Sequence, residues 1–212
     1  MVRRAWRSSL MAVMIGSVAV FLAAGPAVAG TVGLVGGGAS GVIVQTGLVN
    51  VGPTPSVTLP ATGGGPFTDQ LASVNVPNVL TAGVATVSTE GALGTAGFSR
   101  SSAQLLTVNV LNGTITADAV SSQCAIDSSG TTTGSSSLVN ANATGVGPLS
   151  ASPPANTTLT IPLVGTLILN EQTSTTGPGG NRSITVNAVH LHLTGLLSGD
   201  IILSQSRCTA RI

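Results

Sequence analysis

From residue 30 onward, apolar side chains recur at every second position, and most of them are Val, Ile, Leu or Ala. A period of two puts successive side chains on opposite faces of a strand, and β-branched residues pack well on a pleated surface. No stretch repeats its apolar residues convincingly at helical spacing. The expected fold is all-β, an antiparallel sandwich or barrel-like sheet of many short strands joined by Gly/Pro turns.

The sharpest local signal is a hairpin. Gln104–Leu111 runs into Asn112-Gly113, and Thr114–Ala119 follows with strict alternation. Asn-Gly tolerates the positive φ angles of a type I′ turn, and the alternation puts Ile115, Ala117 and Ala119 on one face. The C-terminal third reads as a three-stranded meander: Leu163–Gln172, Arg182–Leu193 and Asp200–Thr209. Segment 30–66 is dense in Gly and Pro and reads as an extended N-terminal part with short edge strands, because proline is confined to edges and bulges. Leu71–Val87 holds one or two short strands. The Ser/Thr/Gly run 128–137 reads as a solvated loop, Leu138–Val146 as a strand, and Pro148–Pro154 as a turn.

Residues 1–29 are of a different kind. Arg3, Arg4 and Arg7 lead an apolar stretch, Leu10–Ala24, and then Gly25-Pro26-Ala27-Val28-Ala29. This is the order of a secretory signal, with Ala27 and Ala29 forming a small-x-small cleavage site. The apolar stretch is shorter than the roughly 20 residues a spanning helix needs. The domain is then 30–212, secreted or loosely associated with the cell envelope, and without a stable membrane anchor once the leader is cut. Either the general secretory or the twin-arginine route fits.

Without the leader the charges are four arginines (Arg100, Arg182, Arg207, Arg211) against six acids, so 4 − 6 gives −2. The only aromatics left are Phe67 and Phe98. A nucleic-acid site needs clustered cations, and stacking platforms need rings; both are missing. Sugar-binding surfaces built on exposed Trp or Tyr are disfavoured for the same reason. Cys124 and Cys208 form an isolated pair, which in an exported protein reads as one disulfide. It would close a loop of about 84 residues, worth about 4–5 kcal/mol by chain entropy. It would also bring the strand ending at Cys124 beside the last strand.

Several motifs lose their meaning in context. Gly36–Gly41 satisfies G-x-G-x-x-G, but Val42-Ile43-Val44 after it reads as a strand, whereas a dinucleotide site needs a helix there. Leu59-Pro60-Ala61-Thr62-Gly63 matches a sortase signal at the wrong end of the domain and reads as a turn. No G-x-S-x-G elbow occurs.

His190 and His192 are two apart on an expected strand and share a face, by alternation the face of Ile184, Val186 and Ala188. They either begin a metal site, with Asp200 or Glu171 adding a carboxylate, or simply end a half-buried strand. A metal or hydrolytic centre at these residues is the alternative to a non-enzymatic structural or surface-interaction role. No cofactor is expected. The partners expected are other envelope components or further copies of the chain, with nucleic acid excluded.

The segments Asn156-Thr157-Thr158, Ile161–Gln172, Ile184–Leu191 and Gly199-Asp200-Ile201-Ile202 are similar to the choice-of-anchor P proteins of actinobacteria. Ile115-Thr116-Ala117-Asp118 and Cys124 fit the same pattern. The resemblance implies an exported, surface-associated β domain in a family named for members with different C-terminal sorting tails. It carries no catalytic residues across. This chain departs from it after Cys208, where Thr209-Ala210-Arg211-Ile212 provides no anchor.

Overall fold

The computed structural model describes residues 30–195 and 198–212. The expected leader and its cleavage residues Ala27 and Ala29 lie outside them. The described chain is all-β and antiparallel, with a short 3-10 turn at Pro178–Gly180 between two strands. One sheet holds six strands in the order β12 (Thr157–Ile161), β13 (Gly165–Thr176), β14 (Asn181–Leu193), β15 (Gly199–Arg211), β1 (Leu34–Thr46) and β2 (Asn50–Leu59). The other runs β3 (Gly64–Leu71), β6 (Ala85–Ala92), β7 (Phe98–Val110), β8 (Ile115–Ile126) and β9 (Thr132–Val139). Two short hairpins extend it. β4 (Val74–Val76) and β5 (Leu80–Ala82) continue the β6 side of β7, and β10 (Asn142–Ala143) and β11 (Gly147–Pro148) continue the β9 side of β8.

The sheets pack face to face over an aliphatic core. Leu105, Ile115 and Leu138 from one meet Leu167, Leu191 and Leu203 from the other, none more than 2% exposed. Each such side chain contributes about 1.5–3 kcal/mol on burial. A second cluster around Ile126, Ile184 and Val186 encloses the disulfide between Cys124 and Cys208. Those cysteines sit on β8 and β15, in opposite sheets, with Cα atoms 6.0 Å apart. The last strand therefore lies across from the Cys124 strand, and the bridge ties the two layers together.

The Asn-Gly hairpin and the C-terminal meander form as the residues imply. Asn112 and Gly113 have φ of 53° and 95°, and the Thr114 N–H donates to the Leu111 carbonyl. β13, β14 and β15 are hydrogen-bonded neighbours. Two readings are corrected. Leu34–Thr46 is a 13-residue strand between β15 and β2, so this part of 30–66 is central, and only β2 and the start of β3 are edges. Thr132–Val139 is a strand on β8, not a solvated loop, because its inward positions Gly134 and Ser136 are small enough to lie against the facing sheet.

A third correction affects most long strands. Each changes its inward face at mid-length. In β14 the buried residues pass from Ile184 and Val186 to Val189, Leu191 and Leu193; in β15 they pass from Ile201 and Leu203 to Ser204, Ser206 and Cys208. The cause is one skipped residue in each of two neighbours. Leu169 pairs Val189 and Glu171 pairs Asn187, leaving out Asn170 and Ala188. Ser204 is skipped against Ala188 on one side and Gly41 on the other, and Thr107 against Asp118. Asn170, Ser204, Thr107 and Asn140 take φ of 48–52°. Since both partners skip together, the ladders stay in register while facing inverts. Ala119 thus turns outward although Ile115 and Ala117 point in, and Leu138–Val146 is broken at Asn140.

The motif glycines have structural duties. A Cβ on Gly37, within β1, would lie 2.5 Å from the Arg207 carbonyl oxygen and 3.1 Å from Ser101 Oγ. The Gly63 N–H donates to the Pro60 carbonyl at 2.9 Å, so Leu59–Gly63 is the turn that carries the chain from one sheet to the other.

Candidate functional site

His190 and His192 follow the inversion in β14, so they point outward, away from the face of Ile184 and Val186. Alternation alone places them wrongly. The same inversion groups polar residues that a regular strand would separate. Asn187, His190 and His192 all face out, flanked by Glu171 on β13 and by Asp200 and Gln205 on β15.

The cluster is a continuous hydrogen-bonded chain. His190 Nδ1 lies 2.9 Å from Glu171 Oε2, and His190 Nε2 lies 2.9 Å from Asp200 Oδ1. His192 Nδ1 meets the same Asp200 oxygen. Asn187 Nδ2 donates to Glu171 Oε2 at 2.6 Å, and Gln205 Nε2 donates to Asn187 Oδ1 at 2.9 Å. The His190 side chain is 17% exposed and that of His192 is 59% exposed. Burial pushes the Asp200 carboxyl up, but the hydrogen bonds and charges of the two imidazoles outweigh it and hold it below the ordinary carboxylate range.

Both acids named from the sequence are therefore brought to the histidines. Three of the four groups, His190, His192 and Asp200, each offer one ligand atom within 4.8 Å of the others. Among the described residues neither imidazole is hydrogen-bonded to a hydroxyl, so the nucleophile–base contact of a serine hydrolase does not form here. Asn187 and Gln205 were not legible as site residues; they enter through cross-strand register alone.

The opposite outer face has another character. Thr86, Ser88, Ser102, Gln104, Ser121, Gln123, Ser135 and Ser137 line two adjoining troughs of about 480 and 540 Å³. The one ion pair at its rim, Arg100 with Glu90 at 3.8 Å, is exposed. No imidazole reaches this face. The troughs are hydroxyl- and amide-rich and lined by no aromatic ring, and at the rim the Arg100 guanidinium lies over the Phe98 ring. No family model, curated protein or solved structure matches the chain.

Proposed function

We propose that this chain is an exported, non-enzymatic β-sandwich of the choice-of-anchor P type, acting outside the cytoplasm in a structural or surface-interaction role. The observation that carries the reading is the Cys124–Cys208 disulfide, set between the two sheets inside a buried aliphatic cluster. Disulfides persist in oxidising compartments and are rare in the cytosol. The family likeness rests on segments of β8, β12, β13, β14 and β15, of which β14 and β15 are central in their sheet.

The neutral troughs supply an interaction surface suited to hydrogen bonding rather than to charge pairing. Assembly through sheet edges has less support. β2 carries Pro53 and Pro55, β3 carries Pro66, and β12 has five residues. Prolines and short strands are the usual means of blunting an edge. On β9, the Leu138 N–H donates to the Ala151 carbonyl and the Gln172 amide donates to the Gly134 carbonyl.

Fractionating a culture into medium, wall, membrane and cytosol, with the intact mass of each form, tests this. The expected result is a shortened, thiol-blocked protein in the medium or wall. Full-length, thiol-reactive protein confined to the cytosol would overturn it.

A further inference from the structure

We propose that His190, His192 and Asp200 form a binding site for a borderline divalent metal ion of the zinc class, with Glu171 as the residue that orients His190. The inference goes beyond the export reading and does not depend on it.

His190 is the pivot of the cluster. Both its nitrogens face carboxylate oxygens at 2.9 Å. An imidazole that ligates a metal through one nitrogen keeps a single N–H on the other, so with an ion at Nε2 only the Nδ1 proton needs an acceptor. Glu171 is the better acceptor for the Nδ1 proton, because it is fixed in turn by the Asn187 amide, and Asn187 by Gln205. Nε2 is then free to ligate on the side of Asp200, where the His192 ring converges as well. Two imidazole nitrogens and a carboxylate oxygen then meet around one point, and a cation there completes all three.

The spacing suits one ion. Nitrogen and carboxylate ligands sit about 2.0–2.2 Å from zinc, so atoms sharing it are on the order of 3–4 Å apart, and these three lie within 4.8 Å of one another. Metal-binding histidines commonly donate their second N–H to a carboxylate, which fixes tautomer and ring orientation; Glu171 occupies that position. The mixed nitrogen and oxygen set favours zinc and its neighbours over calcium or magnesium, which prefer oxygen alone. Exposure of His192 gives an ion direct access and leaves a coordination position open to solvent.

The register supports the assignment. Had β14 kept strict alternation, the residues facing outward beside Asn187 would be the odd-numbered ones, and both imidazoles would point into the core. The skipped pairs at Asn170, Ala188 and Ser204 put them on the outer face.

The test is titration of the oxidised, chelator-stripped protein, purified from an exporting host, with Zn²⁺ alone. Calorimetry is expected to give one ion per chain. The chain has two histidines, so their ring-proton NMR signals should shift together and saturate at one equivalent. Glu171→Gln should weaken binding about 10–100-fold, and His192→Ala or Asp200→Asn should weaken it further. His192 is exposed enough that its alanine variant should keep the wild-type melting transition without metal. Absence of saturable binding would overturn the proposal, and so would imidazole signals that stay fixed at one equivalent. Wild-type affinity in both His192→Ala and Asp200→Asn would overturn it too.

Discussion

Ser204 Oγ, on the last strand, donates to the Val120 carbonyl of the facing sheet at 2.9 Å, with the serine wholly buried. The bond joins the two layers at the level where their strands invert. Ser204 is itself one of the inverting residues, at φ 52°. Removing the hydroxyl loses a buried hydrogen bond, at about 1 kcal/mol. A β-branched residue adds the strain of a left-handed conformation, about 1–3 kcal/mol more. Ser204→Ala should therefore lower the unfolding free energy modestly, and Ser204→Val clearly more. Urea unfolding of the two variants checks the order; equal losses would mean that φ at this position does not matter.

The disulfide closes a loop of 84 residues. Chain entropy sets its contribution at about 4–5 kcal/mol, a large share of the 5–15 kcal/mol that holds a typical domain together. The Cys124→Ala/Cys208→Ala double variant should unfold at much lower denaturant concentration, and reducing agent should shift the wild type by a similar amount while leaving the double variant unchanged. A wild type insensitive to reduction would contradict a stabilising role.

Asp127 organises the turn between β8 and β9. Its Oδ1 accepts from the Ser129 hydroxyl at 2.6 Å, the Ser129 N–H at 2.9 Å and the Thr131 N–H at 3.0 Å. The Ser129 hydroxyl is the main cause that holds this carboxyl below its ordinary range, against a smaller opposing push from burial. A depressed folded pKa gives stability that is present above the unfolded value, about 4, and is lost as pH falls through the folded one. The group is exposed, so the effect is small. Wild-type stability should fall below about pH 4, and Asp127→Asn should flatten part of that slope. Melting temperatures of both proteins from pH 2 to pH 6 decide it.

Much of the fold was legible because alternation, the Asn-Gly turn and the cysteine pair are local or compositional signals. The inversions were not. Thr107 and Ser204 are not residues that announce a left-handed backbone, and a skip matched in the neighbouring strand leaves no mark on either sequence alone. That one hidden feature accounts for the misplaced faces of Ala119 and of both histidines. The strand over 132–139 was hidden for another reason: Gly134 and Ser136 point inward, so the polar composition of the run conceals a buried face. Glu171 and Asp200 were nameable as candidate acids, but they stand 19 and 10 residues from His190, and only pairing across β13, β14 and β15 joins them.

Gly134 gives the most direct test of how closely the sheets approach. A Cβ there would lie 2.6 Å from Val186 Cγ2 and 2.9 Å from Ile184 Cδ1, side chains of the facing layer. Ile184 can yield at its tip, but Val186 is fully buried, and a valine has little rotamer freedom. Replacing glycine by alanine also restricts the unfolded chain, which favours folding by about 0.4–1 kcal/mol where the site has room. At Gly134 the overpacking of about 1–3 kcal/mol is the larger effect, so Gly134→Ala should destabilise. Gly47 is the matched control: nothing lies within 4 Å of its Cβ position, and its N–H to the Ser198 carbonyl survives substitution. Gly47→Ala should be neutral or stabilising by the entropy term alone. Chemical denaturation should therefore show a loss of stability in Gly134→Ala and none in Gly47→Ala, and a stabilised Gly134→Ala would show that the layers have slack at this point.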